Sequence, residues 1–215
     1  MTTKPARTRR FFLTHLGAGI TLFGAGGAGS AMAAQSRPEP RWQASRHAQD
    51  DWFDQIPGQH RLIFDTTVSA GMSSATMFAN NFYIANNSGY GLQNGDLAVV
   101  IVARHTTTPF AYNDSIWAKY GVPISNFVDN TKEPLKANPY TRQLNGLIGR
   151  GVHLAVCQMA TRAIAGAIAR AVSGSTDDIY NELAANLLPN SHLVSAGIVA
   201  VSRAQERGYT LVNGG

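Results

Sequence analysis

The chain contains one cysteine, Cys157, within the stretch GVHLAVCQMATRAIAG. The residues before it predict a buried strand, and the residues after it predict a helix. A thiol at such a junction lies where the free amide groups and the dipole of a helix N-terminus stabilise an anion. The thiolate is the nucleophilic form of cysteine, so this position favours sulfur chemistry at Cys157. The alternative is an inert residue, because free cysteines often pack as small apolar side chains.

Polar residues at the ends of the other strands would share a sheet edge with this cysteine, because ligands of open parallel sheets bind at the carboxyl ends of the strands. These residues are Thr66 and Thr67 after the first strand, Arg104 and His105 after the second, and Ser195 after the fourth. We predict His105 as the base or charge partner of the thiol, since imidazole titrates near neutral pH. The alternative is that His105 only begins a polar loop. The other four residues are predicted to bind substrate or ligand.

Several common sites are not indicated. The chain has no C-x-x-C motif, no histidine pair at metal-binding spacing and no G-x-G-x-x-G fingerprint after the first strand. His153 and His192 begin their strands, so they are predicted to lie at the opposite edge of the sheet from Cys157. No Ser-His-Asp set is indicated either. We therefore predict neither a metal nor a cofactor.

The elements that position these residues alternate between strand and helix after residue 60. Strands are predicted at 60–68, 97–104, 152–157, 192–197 and 209–212, and helices at 73–88, 113–121, 141–149, 158–172, 177–188 and 198–208. Such alternation predicts an α/β fold: a single domain with a mainly parallel five-stranded sheet and helices on both faces. The domain is predicted to span 60–215. The role of the segment 105–139, which follows the second strand, stays open.

The N-terminal residues resemble a twin-arginine export signal. Arg9 and Arg10 precede two phenylalanines and a weakly apolar run, and the sequence Ala31-Met32-Ala33 fits a small-residue cleavage site. We predict a signal peptide at 1–33 and a periplasmic mature protein. An ordinary secretory signal or an uncleaved anchor is the alternative. Residues 34–59 are predicted to form a polar linker or N-terminal arm outside the core, within which DDWFDQI could form a short helix that docks Trp52 and Phe53.

Charge and size limit the function classes. The predicted signal carries four of the 18 Lys and Arg residues and none of the 13 acidic ones, so the mature chain is nearly neutral. The high isoelectric point is therefore no argument for nucleic-acid binding, which needs a basic patch on the folded domain. We expect no stable membrane span after cleavage. Roughly 180 residues remain, which suits one domain, and a single cysteine excludes a disulfide within the chain.

The segments GVHLAVC and HLVSAGIVAVSRAQERGYTLV, with the helix between them, resemble the DsrE family of small α/β proteins. The closing signature of that family corresponds to Ala204-Gln205-Glu206-Arg207-Gly208-Tyr209, and the resemblance covers about 60–213. It implies a persulfide on Cys157, as in the sulfur-relay members, and assembly into a trimer or hexamer. A sulfur donor or acceptor, either a protein or a small sulfur compound, would be the partner. The export signal and the long segment 105–139 depart from the cytoplasmic relay proteins.

Two function classes follow. The first is a periplasmic sulfur carrier or sulfurtransferase that acts through Cys157. The second is a non-catalytic small-ligand-binding or assembly protein of the same fold. Thiol reactivity in the native protein separates them, because a thiol that reacts only after unfolding favours the second class.

Overall fold

The computed structural model describes residues 43–128 and 133–214. The export signal predicted for 1–33 lies outside the described residues, as does the beginning of the predicted linker. The rest of the chain contains the complete sheet and the helices that cover it.

Five strands form one sheet in which every neighbouring pair is parallel. They are β1 (His60–Thr66), β2 (Leu97–Ala103), β3 (His153–Cys157), β4 (Ser191–Val194) and β5 (Thr210–Asn213), in the spatial order β4-β3-β2-β1-β5. All seven residues of β2 are buried, as its continuous apolar sequence predicts for a strand covered on both faces. The predicted α/β fold is confirmed.

One face of the sheet, which we call the thick face, is covered by five helices. They are α2 (Ser69–Tyr90), α3 (Asp114–Phe127), α4 (Thr141–Ile148), α5 (Gln158–Val172) and α6 (Thr176–Ala185), together with a 3₁₀ helix at His105–Ala111. Alternate residues of β2, from Leu97 to Ala103, point into this layer, where they meet large buried side chains such as Trp117 and Ile168. The thick face therefore holds the larger part of the core.

The other face, the thin face, is covered by α1 (Trp52–Gln55) and α7 (Gly197–Gln205). Ala98, Val100 and Val102 of β2 point into this layer. Phe53 and Ile56 also belong to it, with 0% and 3% of their surface exposed. The segment assigned from the sequence to an arm outside the core thus forms the short helix and contributes two side chains to the core.

Element bounds differ from the sequence predictions mainly at polar ends. Helix α2 begins at Ser69 rather than at residue 73 and continues to Tyr90, where Gly91 ends it with a left-handed φ of 69°. Helix α3 is longer than predicted and is kinked at Tyr120, shortly before Pro123. Within 105–139, the structure therefore contains a 3₁₀ helix and a long α-helix that pack on the thick face.

Candidate functional site

Cys157 is the last residue of β3 and the N-cap of α5. Its backbone is extended, and the amide N–H of Ala160, in the first turn of the helix, donates to its Sγ at 3.5 Å. The Thr161 hydroxyl donates to the Cys157 carbonyl at 3.0 Å, so a further polar group of this turn is satisfied by the strand end. The residue as a whole is buried, with 7% of its surface exposed. It thus lies at the predicted strand–helix junction.

The strand register brings Arg104 beside this thiol. Ala103 of β2 pairs with Val156 of β3, and the next residues along the two strands are Arg104 and Cys157. Asp65, two residues beyond Ile63 on β1, holds the guanidinium with two hydrogen bonds, from Nε at 2.7 Å and from Nη2 at 2.8 Å. This fork fixes Arg104 in a planar, bidentate geometry.

The electrostatics of Arg104 reflect both neighbours. The hydrogen bond with Asp65 is the main cause that raises the pKa of Arg104, and partial burial acts in the opposite direction. The negative charges of Asp65 and of the Cys157 thiolate raise the pKa further. Arg104 is therefore a permanent cation within electrostatic reach of the sulfur.

Gly197, the first residue of α7, makes room for the arginine. A Cβ atom on this glycine would lie 2.5 Å from Cβ and 2.8 Å from Cδ of Arg104. Real side chains do not approach so closely, so the alkyl chain of Arg104 needs a glycine at the start of α7. The position of the guanidinium thus depends on β1, β2 and α7 together.

The other predicted partners occupy different positions. His105 is exposed, has a left-handed φ of 56°, and its Nδ1 lies 3.3 Å from the Thr67 carbonyl oxygen. Among the described residues, the ring makes no hydrogen bond to Cys157. The buried Thr66 hydroxyl donates to the Val102 carbonyl at 2.7 Å, which ties strand ends together and leaves the hydroxyl turned into the protein.

Thr67 and Ser195, the other two predicted binding residues, follow the ends of β1 and β4. The Thr67 carbonyl accepts a hydrogen bond from the Thr106 hydroxyl at 2.7 Å, which connects the end of β1 to the segment after β2. Ser195 is exposed and directly follows Val194, which pairs with Cys157 in the sheet. The structure thus brings Arg104 and Ser195 to the same sheet edge as Cys157, and only Arg104 has an electrostatic interaction with the thiol.

Residues around the start of α5 were not identified from the sequence. Gln158 donates to the Tyr180 hydroxyl at 2.7 Å, and the buried Tyr112 hydroxyl donates to Thr161 at 3.2 Å. Burial is the main cause that raises the pKa of Tyr112, and the Cys157 thiolate adds to it. Tyr112 therefore stays neutral and acts as a hydrogen-bond donor near the sulfur. Little in the sequence indicated that Tyr112 lies near Cys157, because it lies in the segment 105–139, far from Cys157 along the chain.

A second polar cluster lies on the thin face, toward the amino end of β3. The Nδ1 of His153 and the Nε2 of His192 are 2.9 Å apart, and Trp52 stacks on His192 with ring centroids 3.9 Å apart. Burial lowers the pKa of His192 to about 4 and also lowers that of His153. The sequence placed both histidines away from Cys157 but did not predict their contact, which depends on the pairing of Ala155 with His192.

Two further observations concern the described residues only. They contain no group of three or more His, Cys, Asp or Glu side chains arranged to hold a metal ion. None of their helices combines the length and the apolar character needed to cross a membrane.

The fold and the site together define a single-domain α/β protein with a thiol at the carboxyl edge of a parallel sheet. No protein-family model matches the chain, and no curated protein matches it. Among solved structures, it is similar to MTH1491 from Methanobacterium thermoautotrophicum, a protein of unknown function. The identity is 17%, the match covers 72% of this chain and 99% of that one, and the TM-score is 0.41. That protein's function is unknown, so the likeness assigns none to this chain.

Proposed function

We propose that the chain is a periplasmic DsrE-like sulfur carrier or sulfurtransferase, in which Cys157 holds a sulfane sulfur as a persulfide. The observation that carries this proposal is the hydrogen bond from the Ala160 amide to Sγ, at the N-terminus of a 15-residue helix. Free amide donors and the helix dipole favour an anion at this place. The resemblance of the chain to the DsrE family supports the same reading.

The transfer step needs no external oxidant. The Cys157 thiolate attacks the outer sulfur of a donor persulfide or polysulfide, and a new Sγ–S bond forms. The S–S bond of the donor breaks, and its electron pair leaves with the donor thiolate. An acceptor thiolate then attacks the terminal sulfur of the Cys157 persulfide, which restores the Cys157 thiolate.

Arg104 is the group that we assign to charge stabilisation at this site. The sulfur is anionic both before and after transfer, and Arg104 remains charged because Asp65 holds it in a bidentate pair. Asp65 is a positioning residue, since it acts through the arginine. This assignment gives Arg104 the role that the sequence analysis gave to His105, whose ring hydrogen-bonds at Thr67.

The second candidate function is a non-catalytic small-ligand-binding or assembly protein. The 7% exposure of Cys157 favours it, because a thiol with so little accessible surface commonly packs as an apolar residue. In that case the thiol reacts only when the protein unfolds.

Sulfur loading of the full chain tests the proposal. Native protein is incubated with inorganic polysulfide and its intact mass is measured, with Cys157→Ser as the control. A mass increase of about 32 Da, one sulfur atom, that is removed by a reductant and absent from the variant supports the carrier. Alkylation by iodoacetamide only after denaturation, with no added sulfur in the native protein, would eliminate it.

Export and assembly belong to the proposal and have their own tests. Replacement of Arg9 and Arg10 by lysine is expected to retain the protein in the cytoplasm, and unchanged export would exclude a twin-arginine signal. Light scattering is expected to show a closed trimer or hexamer. A monomer at micromolar concentration would contradict self-assembly and leave the sulfur test unaffected.

A further inference from the structure

A groove between α2 and α4 lies on the thick face and does not include Cys157 among its lining residues. Its volume is about 540 Å³, within the range of roughly 300–1,000 Å³ that is typical of small-molecule sites. Helix α2 contributes Ser73, Met77 and Asn80 to its wall, and the α4 side contributes Arg142 and Arg150. The lining is therefore part apolar and part cationic.

The two arginines differ from most others in the part of the chain that the structure describes. Six of the nine arginines there form ion pairs with carboxylates. Within 43–128 and 133–214, Arg142, Arg150 and Arg170 do not, and the first two line the same groove. Two guanidinium groups without a carboxylate partner in one concave site favour an anionic ligand.

Arg150 is held in place by two residues of α2. Its Nη1 donates to Asn80 Oδ1 at 2.9 Å, and its guanidinium lies over the Tyr83 ring, 4.4 Å from the centroid. A guanidinium has five N–H donors, so most of them stay available after this single hydrogen bond. The ring contact reduces the entropy that ligand binding would cost, because the side chain is held in one place.

Gly146 keeps the middle of the groove open. It lies inside α4, where a glycine costs about 0.5–1 kcal/mol relative to alanine. A Cβ atom built on it meets nothing within 4 Å, so neither packing nor a positive φ requires a glycine there. The residue lies between Arg142 and Arg150 along the chain, and its missing side chain leaves space between the two cations.

We propose that this groove binds an elongated organic anion that carries an acidic group, carboxylate or phosphate, at each end. Arg142 lies in the first turn of α4 and Arg150 lies two residues after its end, so the two are eight positions apart, a span of roughly 12 Å at 1.5 Å per residue. Met77 and Leu147 contact the apolar middle of the ligand, above the open surface of Gly146. The site is independent of the sulfur chemistry at Cys157.

Titration of the isotope-labelled full chain with linear dicarboxylates tests the site by NMR. Adipate, suberate and sebacate are compared with acetate and with inorganic pyrophosphate. We expect saturable shifts at the Gly146 amide, with affinity that rises with the separation of the carboxylates and exceeds that of acetate. Tighter binding of pyrophosphate than of any dicarboxylate would identify a phosphate ligand and overturn the requirement for two separated acidic groups.

Matched variants connect the binding to the groove. Arg142→Gln and Arg150→Gln are each expected to weaken sebacate binding about tenfold, the loss of one charge-assisted hydrogen bond. Arg170→Gln, which removes the same charge from the last turn of α5, is the control and should change nothing. If Arg142→Gln and Arg150→Gln bound sebacate as tightly as the control Arg170→Gln does, the proposal would be overturned.

Substitutions of Gly146 test whether binding depends on the open groove rather than on the stability of the fold. Gly146→Leu fills the groove and should abolish binding, whereas Gly146→Ala should retain it and keep or raise the melting temperature. No saturable shift with any probe at millimolar concentration would overturn the site. Dimerisation of the native chain that is lost in Gly146→Leu would also overturn it, because a second copy would then be the occupant.

Discussion

The two faces of the sheet differ in how they are covered and in what they carry. Helices α2 to α6 seal the thick face, whereas α1 and α7 cover the thin face. The site uses thin-face positions at strand ends: Asp65 follows Ile63 by two residues, Arg104 follows Val102, and Cys157 follows Ala155. The period-2 alternation that builds the core therefore also aligns the site, because each site residue lies two positions after a thin-face core residue of its strand.

The thin face also depends on residues that precede the sheet in the chain. Phe53 stacks on Trp52 and packs edge-on against Tyr209, whose hydroxyl donates to the Phe53 carbonyl at 2.8 Å. Arg207, fully buried in its side chain, donates from Nε to Asp54 at 3.2 Å. A short helix held by apolar contacts and ion pairs thus replaces the layer of long helices that covers the other face.

The largest effect is expected from Phe53→Ala. Removal of a fully buried phenylalanine costs about 3–5 kcal/mol of the free energy of unfolding, through lost burial and the cavity that remains. Denaturant unfolding should show a lower midpoint with an unchanged slope. Phe78→Ala on the thick side is the control, because Phe78 is 43% exposed and should change stability little. Equal losses in both variants would mean that α1 does not complete the thin-face core.

Much of this fold could be predicted from local sequence. The bounds of α5 agree with the prediction of 158–172, and the apolar run of β2 identified the central strand. These features are local, since apolar periodicity alone specifies them. The arm was less predictable, because its polar composition hid two core residues, Phe53 and Ile56.

The site could be predicted only in part. Cys157 and Arg104 were identified because each directly follows or ends an apolar strand. The Asp65–Arg104 pair and the His153–His192 contact depend on the register between strands that are far apart in sequence. His105 was predicted beside the thiol, but the left-handed backbone at this residue turns its ring to Thr67. A left-handed backbone is rare for non-glycine residues, and the sequence around His105 contains no feature that predicts it.

The second-largest effect is expected when an ion pair on the thin face is broken. Asp54→Asn removes the carboxylate that faces the buried Arg207 guanidinium, so part of its charge is left uncompensated. We expect a loss of about 1–3 kcal/mol in the free energy of unfolding. Asp177→Asn, which breaks the exposed pair with Arg162 on the thick side, should cost less than about 0.5 kcal/mol. If urea unfolding showed a larger loss for Asp177→Asn than for Asp54→Asn, the ion pairs of the thin face would not stabilise the fold more than an exposed pair does.

A smaller effect is expected on the rate at which Cys157 takes up sulfur. Gly197→Ala places a Cβ atom against Arg104 and displaces its guanidinium from the thiol. We expect sulfur loading of Cys157 to slow roughly tenfold, which corresponds to about 1.4 kcal/mol of lost stabilisation. Gly89→Ala in α2, where a Cβ meets nothing within 4 Å, is the control. An unchanged rate in Gly197→Ala, measured by intact mass against time, would remove Arg104 from the mechanism.

The smallest effect is a pH dependence that arises on the thin face. Burial lowers the pKa of His192 from 6.5 to about 4, so the unfolded chain takes up this proton before the folded protein does as the pH falls. The free energy of unfolding should therefore be unaffected by His192 above about pH 6.5, decrease between about 6.5 and 4, and level off below that window. The effect is small because both rings of the pair are only half-buried.

A substitution that retains the stack isolates this contribution. His192→Phe keeps an aromatic ring against Trp52 but cannot be protonated, so the dependence of stability on pH should become flatter between pH 6.5 and 4. His60→Phe, at the exposed start of β1, is the matched control for loss of a histidine at the same end of the sheet. If urea midpoints of the wild type and of His192→Phe decrease in parallel over this window, the acid sensitivity does not come from the His153–His192 contact. The lower stability at acid pH would then have to arise from the carboxylates that pair with arginine around α1.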